Sequence, residues 1–303
     1  MNLSATPLQL VVGFSPGSAS DYISHLIAQP LGEQLNRRVV IERIAGESGT
    51  LGAYAVSQRA ADGNTLFIAT LGTHALAPHA RRARKNHAYD ALADFTPVSL
   101  LAQSPMLLAC YPSLPAHDVQ AFITYARAHP GTLAYGTSAF GGAPHLAAEL
   151  FQSVAGVELQ HALYDETKKL YTDLEAGRIA LSFNNITSML PRCASGKLRA
   201  FGVTSAQRLA VAPHLPTLAE CGLQGCEVSN WLGLVAPRGM PAEMTDTISL
   251  AAASVIHSAT VAATLNAAGI TPCGSTPTEF GTYIASELER WGPVVARFAP
   301  AHG

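Results

Sequence analysis

LVVGFSPGSASDYISHL, residues 10–26, opens on an apolar run, breaks at Gly13, crosses Ser15-Pro16-Gly17-Ser18-Ala19-Ser20 and resumes behind Asp21 with helical spacing. The pattern predicts a strand, a tight turn and a helix start. A helix start leaves its first backbone N–H groups unpaired and carries about half a positive charge, which makes such a turn a natural seat for a small anion. LAYGTSAFGGAPHLAAELF, residues 133–151, repeats the grammar with Gly136-Thr137-Ser138 and Gly141-Gly142 before a helix. Leu146, Leu150 and Val154 then step down one helical face. Two anion-ready turns in separate parts of the chain, with no catalytic motif beside them, point to a cleft that holds an acid rather than transforms it.

Around the first turn, strands and helices alternate. Apolar runs at 8–13, 38–42 and 65–69 are separated by helical stretches at 20–35 and 50–60, the βαβ pattern of a parallel sheet covered on both faces. Leu26, Leu31 and Leu35 are expected to face inward from the first helix. Gly46, Gly49 and Gly52 lack the G-x-G-x-x-G spacing, and the chain has no G-x-x-x-x-G-K-[ST], so nucleotide binding is a weak reading. A second set of alternations begins near 106, with strands at 106–110, 132–136, 179–183 and 198–203 and helices at 118–128, 143–154 and 166–176. The C-terminal third, after Trp231, is largely helical around 241–257 and 277–298, and those helices need a sheet to cover. The expected architecture is α/β in two domains, one formed by 1–103 with 230–303 and the other by 104–229. Chain crossings near 100–106 and 228–236 would be able to act as a hinge.

Composition bounds the function. At 303 residues the chain suits two ordinary domains. With 13% charged residues and a net charge of −2, nothing favours nucleic acid or an anionic membrane as partner. The basic run Arg81-Arg82-Ala83-Arg84-Lys85 reads as a solvated loop. No apolar stretch approaches the roughly 18 residues of a membrane span. The N-terminus runs straight into the first strand, without a charged segment followed by an apolar one, so no export signal is expected in this sequence. The five cysteines form no C-x-x-C pair and no zinc-type set with histidine, which makes a metal site an unfavourable reading. Cys221 and Cys226 flank Gly-Leu-Gln-Gly, close enough in sequence for a bridge, and reading them as small buried residues serves equally well.

The succession FSPGSASD, IAGESGTLGA, ADGNTL, YDALADFTPVSLLAQSP, HPGTLAYGTSAFGGAPHLAAELF, DLEAGRI, GKLRAFGVTSAQR, PTLAECGL and WLGLVAP resembles the tripartite tricarboxylate transporter receptors, the Bug or TctC family. The likeness runs over residues 8–298; each piece is weak alone, and the order and spacing are specific. The resemblance implies a type II periplasmic-binding-protein fold of the Venus-flytrap kind, a monomer without cofactor or catalytic activity. It also implies a small carboxylate clamped between two loops, with bridging waters, and handed to membrane transporter subunits or a sensor protein.

Carried over position by position, the first clamp runs from Phe14 to Asp21, with the backbone N–H groups of Ser18 and Ala19 as donors. The second comprises Thr137, Ser138, Gly141 and Gly142. Asp21 and His145 match the family's acid and histidine at the two helix starts. Asp21 would touch ligand or simply stabilise its helix start, and His145 would donate to a carboxylate or orient its loop. Thr73, after the third strand, sits where a parallel sheet presents its cleft and is preferred to its neighbour His74. Tyr164 and Asn184 complete the expected contacts.

The chain also departs from the family pattern. The usual glycine pair of the first loop reads Gly17-Ser18, Leu163-Tyr164-Asp165-Glu166 replaces Pro-Tyr-Lys-Gly, and Ala180 and Asn184-Asn185 stand where acids are frequent. The two acids disfavour a polyanion, and asparagine both donates and accepts hydrogen bonds. One carboxylate is therefore expected in the turns, with a far end unlike that of a tricarboxylate. The rival reading is an α/β hydrolase or transferase with a nucleophile such as Ser138, but Gly136-Thr137-Ser138-Ala139-Phe140 is not a G-x-S-x-G elbow.

Overall fold

A computed structural model describes residues 6–79, 88–138 and 140–298. The basic run 81–85 lies outside them. The chain divides into two compact units: residues 1–103 with 231–265 and 271–303, and residues 104–230 with 266–270.

In the first unit, β1 (Leu8–Val12), β2 (Val39–Arg43) and β3 (Thr65–Thr70) are parallel, joined by α1 (Ala19–Leu35) and α2 (Thr50–Ser57). The sheet order is β2-β1-β3-β9-β4, where β4 is Phe95–Cys110 and β9 is Ser229–Pro237, and β9 runs antiparallel to β3. The sheet is therefore mixed, not parallel throughout. The physical reason is topological: β9 re-enters the unit from the far end of the chain rather than through a helical crossover. Ile23, Ile27, Leu31 and Leu35 are the buried stripe of α1, while Leu26 is only half-buried. α1 lies beside β1, whose Leu8, Leu10, Val11 and Val12 are buried as well. The helices α7 (Ala242–Ile256), α8 (Ala259–Ala267) and α9 (Pro277–Phe298) follow β9, with the short β10 (Thr271–Pro272) pairing with the first part of β4.

β9 is anchored through its indole. Trp231 and Trp291 are buried, and both donate to Oε2 of the buried Glu287, at 3.1 and 3.0 Å. Gly233 lies where an added Cβ would meet the Phe280 ring at 2.2 Å, so β9 tolerates no side chain there.

In the second unit the order is β6-β5-β7-β4, with β8 (Arg199–Val203) on the other edge of β4. β5 (Ala134–Thr137) is parallel to β6 (Gln160–Leu163) and to β7 (Leu181–Asn185), and β4 is antiparallel to β7 and β8. The helices are α3 (Val119–Ala128), α4 (Ala143–Ala155), α5 (Thr167–Glu175) and α6 (Ile186–Ala194). One face of the sheet buries Phe122, Phe151, Phe183 and Phe201, with ring centroids 5.8–6.1 Å apart between neighbours. Phe151, Ala147 and Ala155 carry α4 into that core; Leu150 is only half-buried and Val154 is exposed, so the expected Leu146–Leu150–Val154 face is rotated toward solvent. The predicted strand at 106–110 is the last part of the 16-residue β4, whose residues up to Gln103 belong to the first unit.

Among the described residues no single helix is long and apolar enough to cross a membrane. All five cysteines, Cys221 and Cys226 included, are free thiols.

Candidate functional site

Each unit presents one of the two turns at the C-terminal edge of its parallel strands, the edge where open α/β sheets bind ligands. In the first unit the turn follows β1. Gly17 has φ +81, a left-handed backbone suited to glycine, and Ser18 is the N-cap of α1 with φ −71 and ψ 163. Its hydroxyl accepts from the Asp21 N–H at 3.2 Å, and its own N–H bonds to the Ser15 carbonyl at 3.3 Å. The first intrahelical bond is Tyr22 N–H to Ser18 O, at 2.9 Å. Ala19 and Ser20 are thus the first-turn residues whose N–H groups lie ahead of any intrahelical acceptor. Of the two expected donors, Ala19 is the open one and Ser18 is committed within the turn.

Asp21 is buried and turned into its own loop. One carboxylate oxygen accepts the Gly17 N–H at 2.8 Å and the other is bonded by Arg43. Burial raises its pKa, and the Gly17 N–H, Arg43 and His25 together outweigh that and hold it below the ordinary aspartate value. Arg43 was not visible as a site residue from sequence. Its signal was available in the register, because Arg43 pairs with Val12 at the end of β1 and so stands beside the turn.

Phe14 forms the wall of this turn with Gly49 and Thr73. A Cβ on Gly49 would stand 2.6 Å from the Phe14 ring and 2.9 Å from the Thr73 methyl. Thr73 is fully buried, and its hydroxyl accepts the Thr70 N–H at 3.0 Å and meets His74 Nδ1 at 3.0 Å. His74 sits among Phe67, Tyr89 and Phe95, and burial lowers its pKa to about 3.

In the second unit the turn runs from Thr137 at the end of β5 to α4. Gly141 has φ +69, and Gly142 is the N-cap with no side-chain cap bond. Pro144 has no N–H, and the Leu146 N–H bonds to Gly142 O at 3.0 Å, which leaves Ala143 and His145 as the first-turn donors. His145 is buried, and its Nδ1 accepts the Gly141 N–H at 3.3 Å. Its proton therefore belongs on Nε2, which lies 3.8 Å from Glu149 Oε1. Glu149 in turn accepts from the Tyr135 hydroxyl and, at 3.0 Å, from Gln152. Burial depresses His145 to about 4. His161 is likewise held near about 4, by burial first and then by His145, with Glu149 opposing.

His161, a residue sequence reasoning missed, is the partner of the buried Thr137, with Nε2 to Oγ1 at 2.6 Å. Its strand register pairs it with Tyr135, whose ring it stacks on at 4.9 Å and 17°. An isolated histidine on a four-residue strand carries no motif, so only the register reveals it. Tyr164 donates its N–H to Thr137 O at 2.9 Å and its hydroxyl to Asp173 at 3.1 Å. Asn184 is buried on β7 and reaches the turn indirectly: its amide donates to Ser182 Oγ at 3.4 Å, and Ser182 donates to Gly136 O at 2.7 Å. Ser138 lies within the turn. Both neighbouring imidazoles serve the loop, His145 binding the Gly141 backbone and His161 binding Thr137, so neither is arranged as a base for a serine.

Comparison with known proteins places these features in a family. Residues 23–299 match the model of the tripartite tricarboxylate transporter family receptor, TctC. The Protein BugT of Bordetella pertussis is 31% identical over 96% of this chain and 89% of its own length. A solved structure of R. palustris Rpa4515 with adipate superposes with a TM-score of 0.86 at 35% identity, covering 96% of each chain. MatC (Rpa3494) from Rhodopseudomonas palustris, with bound malate, gives 0.84 at 29% identity, over 97% of this chain and 100% of that one. Members of this family are periplasmic binding proteins that work with tripartite transporter membrane subunits, and they are receptors rather than enzymes. The two-unit α/β fold described above is theirs, and the chain belongs to the tripartite tricarboxylate transporter family of receptors.

Proposed function

We propose that this receptor captures a small carboxylate through backbone N–H groups of the two turns, Phe14–Asp21 and Thr137–His145, and delivers it to membrane transporter subunits. A sensor protein is a second destination open to the same complex, and the receptor acts as a monomer in the periplasm. The observation that carries the reading is the recurrence, once in each unit, of a strand, a Gly/Ser turn and a long helix whose first donors precede any intrahelical acceptor. Adipate and malate, held by the two solved relatives, are small carboxylates and set the class. In this proposal the donors are Ala19 and Ser20 of the first turn and Ala143 and His145 of the second, with Ser18, Ser138, Gly141 and Gly142 shaping the approach and Phe14 as wall. Asp21, Thr73, Thr137, Tyr164 and Asn184 set loop geometry. No proton transfer is needed, since capture requires only differential affinity for the liganded conformation.

The test is Ala19→Pro. Proline is well accommodated at the first helical position, and the preceding Ser18 is already extended, so the substitution removes one N–H with little effect on the fold. A hydrogen bond to a charged group is worth about 1.5–3 kcal/mol, so carboxylate affinity measured by titration calorimetry is expected to fall by roughly 10- to 100-fold. Unchanged affinity for every carboxylate that the parent protein binds would remove the first turn from the site.

A further inference from the structure

Six large hydrophobic side chains are strongly exposed among the described residues, and two of them flank the second turn. Phe140 lies within it and is 48% exposed; Leu163 ends β6 directly opposite Thr137 in the strand register and is 55% exposed. Tyr22, 39% exposed, follows Asp21 in the first turn of α1. The Phe140 ring is backed by other rings rather than by charge. Its centroid is 4.7 Å from that of His145, which lies 4.5 Å from His161, which stacks on Tyr135. The burial that keeps both imidazoles neutral makes this stack an apolar support.

Several arginines among the described residues are held by carboxylates. Arg43 is bonded by Asp21, Arg59 by both oxygens of Glu42 at 2.7 Å, and Arg178 by Asp173 at 2.5 Å. Asp165 and Glu166 stand in the same short segment as Lys168 and Lys169, so that segment contributes no net charge. A ligand with one carboxylate uses the backbone donors and asks for nothing more. A second carboxylate would have to leave water, which is costly without a cation to receive it, and Arg43 beside the first turn is already held by Asp21.

We propose that the ligand is a monocarboxylate bearing an aromatic ring, its carboxylate on the backbone donors and its ring against Phe140 and Leu163. This rests on the carboxylate-capture reading above. Aromatic pairs gain from offset or edge-to-face contact beyond area burial.

Titration calorimetry on the full chain, with benzoate, 3-phenylpropionate, adipate, malate and citrate as probes, tests it. One of the aromatic monoacids is expected to bind at least about tenfold more tightly than any of the diacids or citrate, the discrimination that a well-formed apolar contact supplies. Phe140→Ala, at an exposed position, is expected to lower aromatic affinity about tenfold or more and adipate affinity by clearly less. Leu163→Ser is expected to act in the same direction and guards against a peculiarity of one variant. Tighter binding of adipate, malate or citrate, or an equal loss for adipate and the aromatic acid in Phe140→Ala, would overturn the ligand class and leave carboxylate capture standing. Absence of binding by all five acids would overturn both readings.

Discussion

His145 shows how one side chain ties the second turn to the proton. Its neutral form accepts the Gly141 N–H, and protonation at Nδ1 would set donor against donor and break that link. Burial lowers it from 6.5 to about 4 in the folded chain, and His161 beside it behaves alike. Between pH 6.5 and 4 the unfolded chain therefore takes up protons that the folded chain refuses. Stability falls as the pH drops through this window; the contribution of these two histidines levels off below it, while His74 and Asp21 carry the fall further. Thermal unfolding at successive pH values is expected to show that slope, and His145→Gln to reduce it; an unaltered slope in the variant would show that His145 does not contribute. The sequence marked His145, because it stands three residues into a glycine-led helix. It could not mark His161 or Arg43, whose roles come from strand register, a pairing that no local spacing encodes. Asp21 was legible as a first-turn acid, and only its ring of partners, Gly17 and Arg43, shows that its carboxylate faces the protein.

Among the elements, β9 and α9 are joined by a buried carboxylate serving two indoles. Removing Glu287 while keeping the bulk, as in Glu287→Leu, leaves the Trp231 and Trp291 N–H groups buried without acceptors. Each unsatisfied group costs about 1–3 kcal/mol, so a loss of several kcal/mol is expected in urea unfolding. A loss below 1 kcal/mol would mean that water reaches the indoles. Helices were the most readable elements: α1, α4 and α9 begin at Ser18-Ala19, Gly142-Ala143 and Thr276-Pro277, where capping chemistry is explicit. β4 was read as a five-residue strand because its buried run carries no alternation and contains Pro97 and Pro105. α6 went unseen because it starts directly after β7 and contains Pro191, which reads as a stop.

At the scale of the whole molecule, a net charge of −2 and the pairing of Arg43 with Asp21 beside the first turn leave little long-range attraction for an anion. Screening acts on unpaired exposed charges, so the dissociation constant of a carboxylate ligand is expected to change less than about threefold between low salt and 0.5 M sodium chloride. A tenfold weakening would reveal a free cation at the site. The α/β class followed from alternation of periodicities, whereas the mixed sheet did not, because strand direction depends on where distant β9 enters. That entry matters before the protein is finished. Family members act in the periplasm, and β9 is the neighbour of β3 although nearly all of the second unit, from residue 104 on, lies between them in the chain. In a chain that crosses a membrane from its N-terminus, β1, β2 and β3 emerge while the strand that seals their edge is still on the other side. The sheet of the first unit therefore cannot be completed until β9 has followed, and the edge of β3 stays unpaired until then.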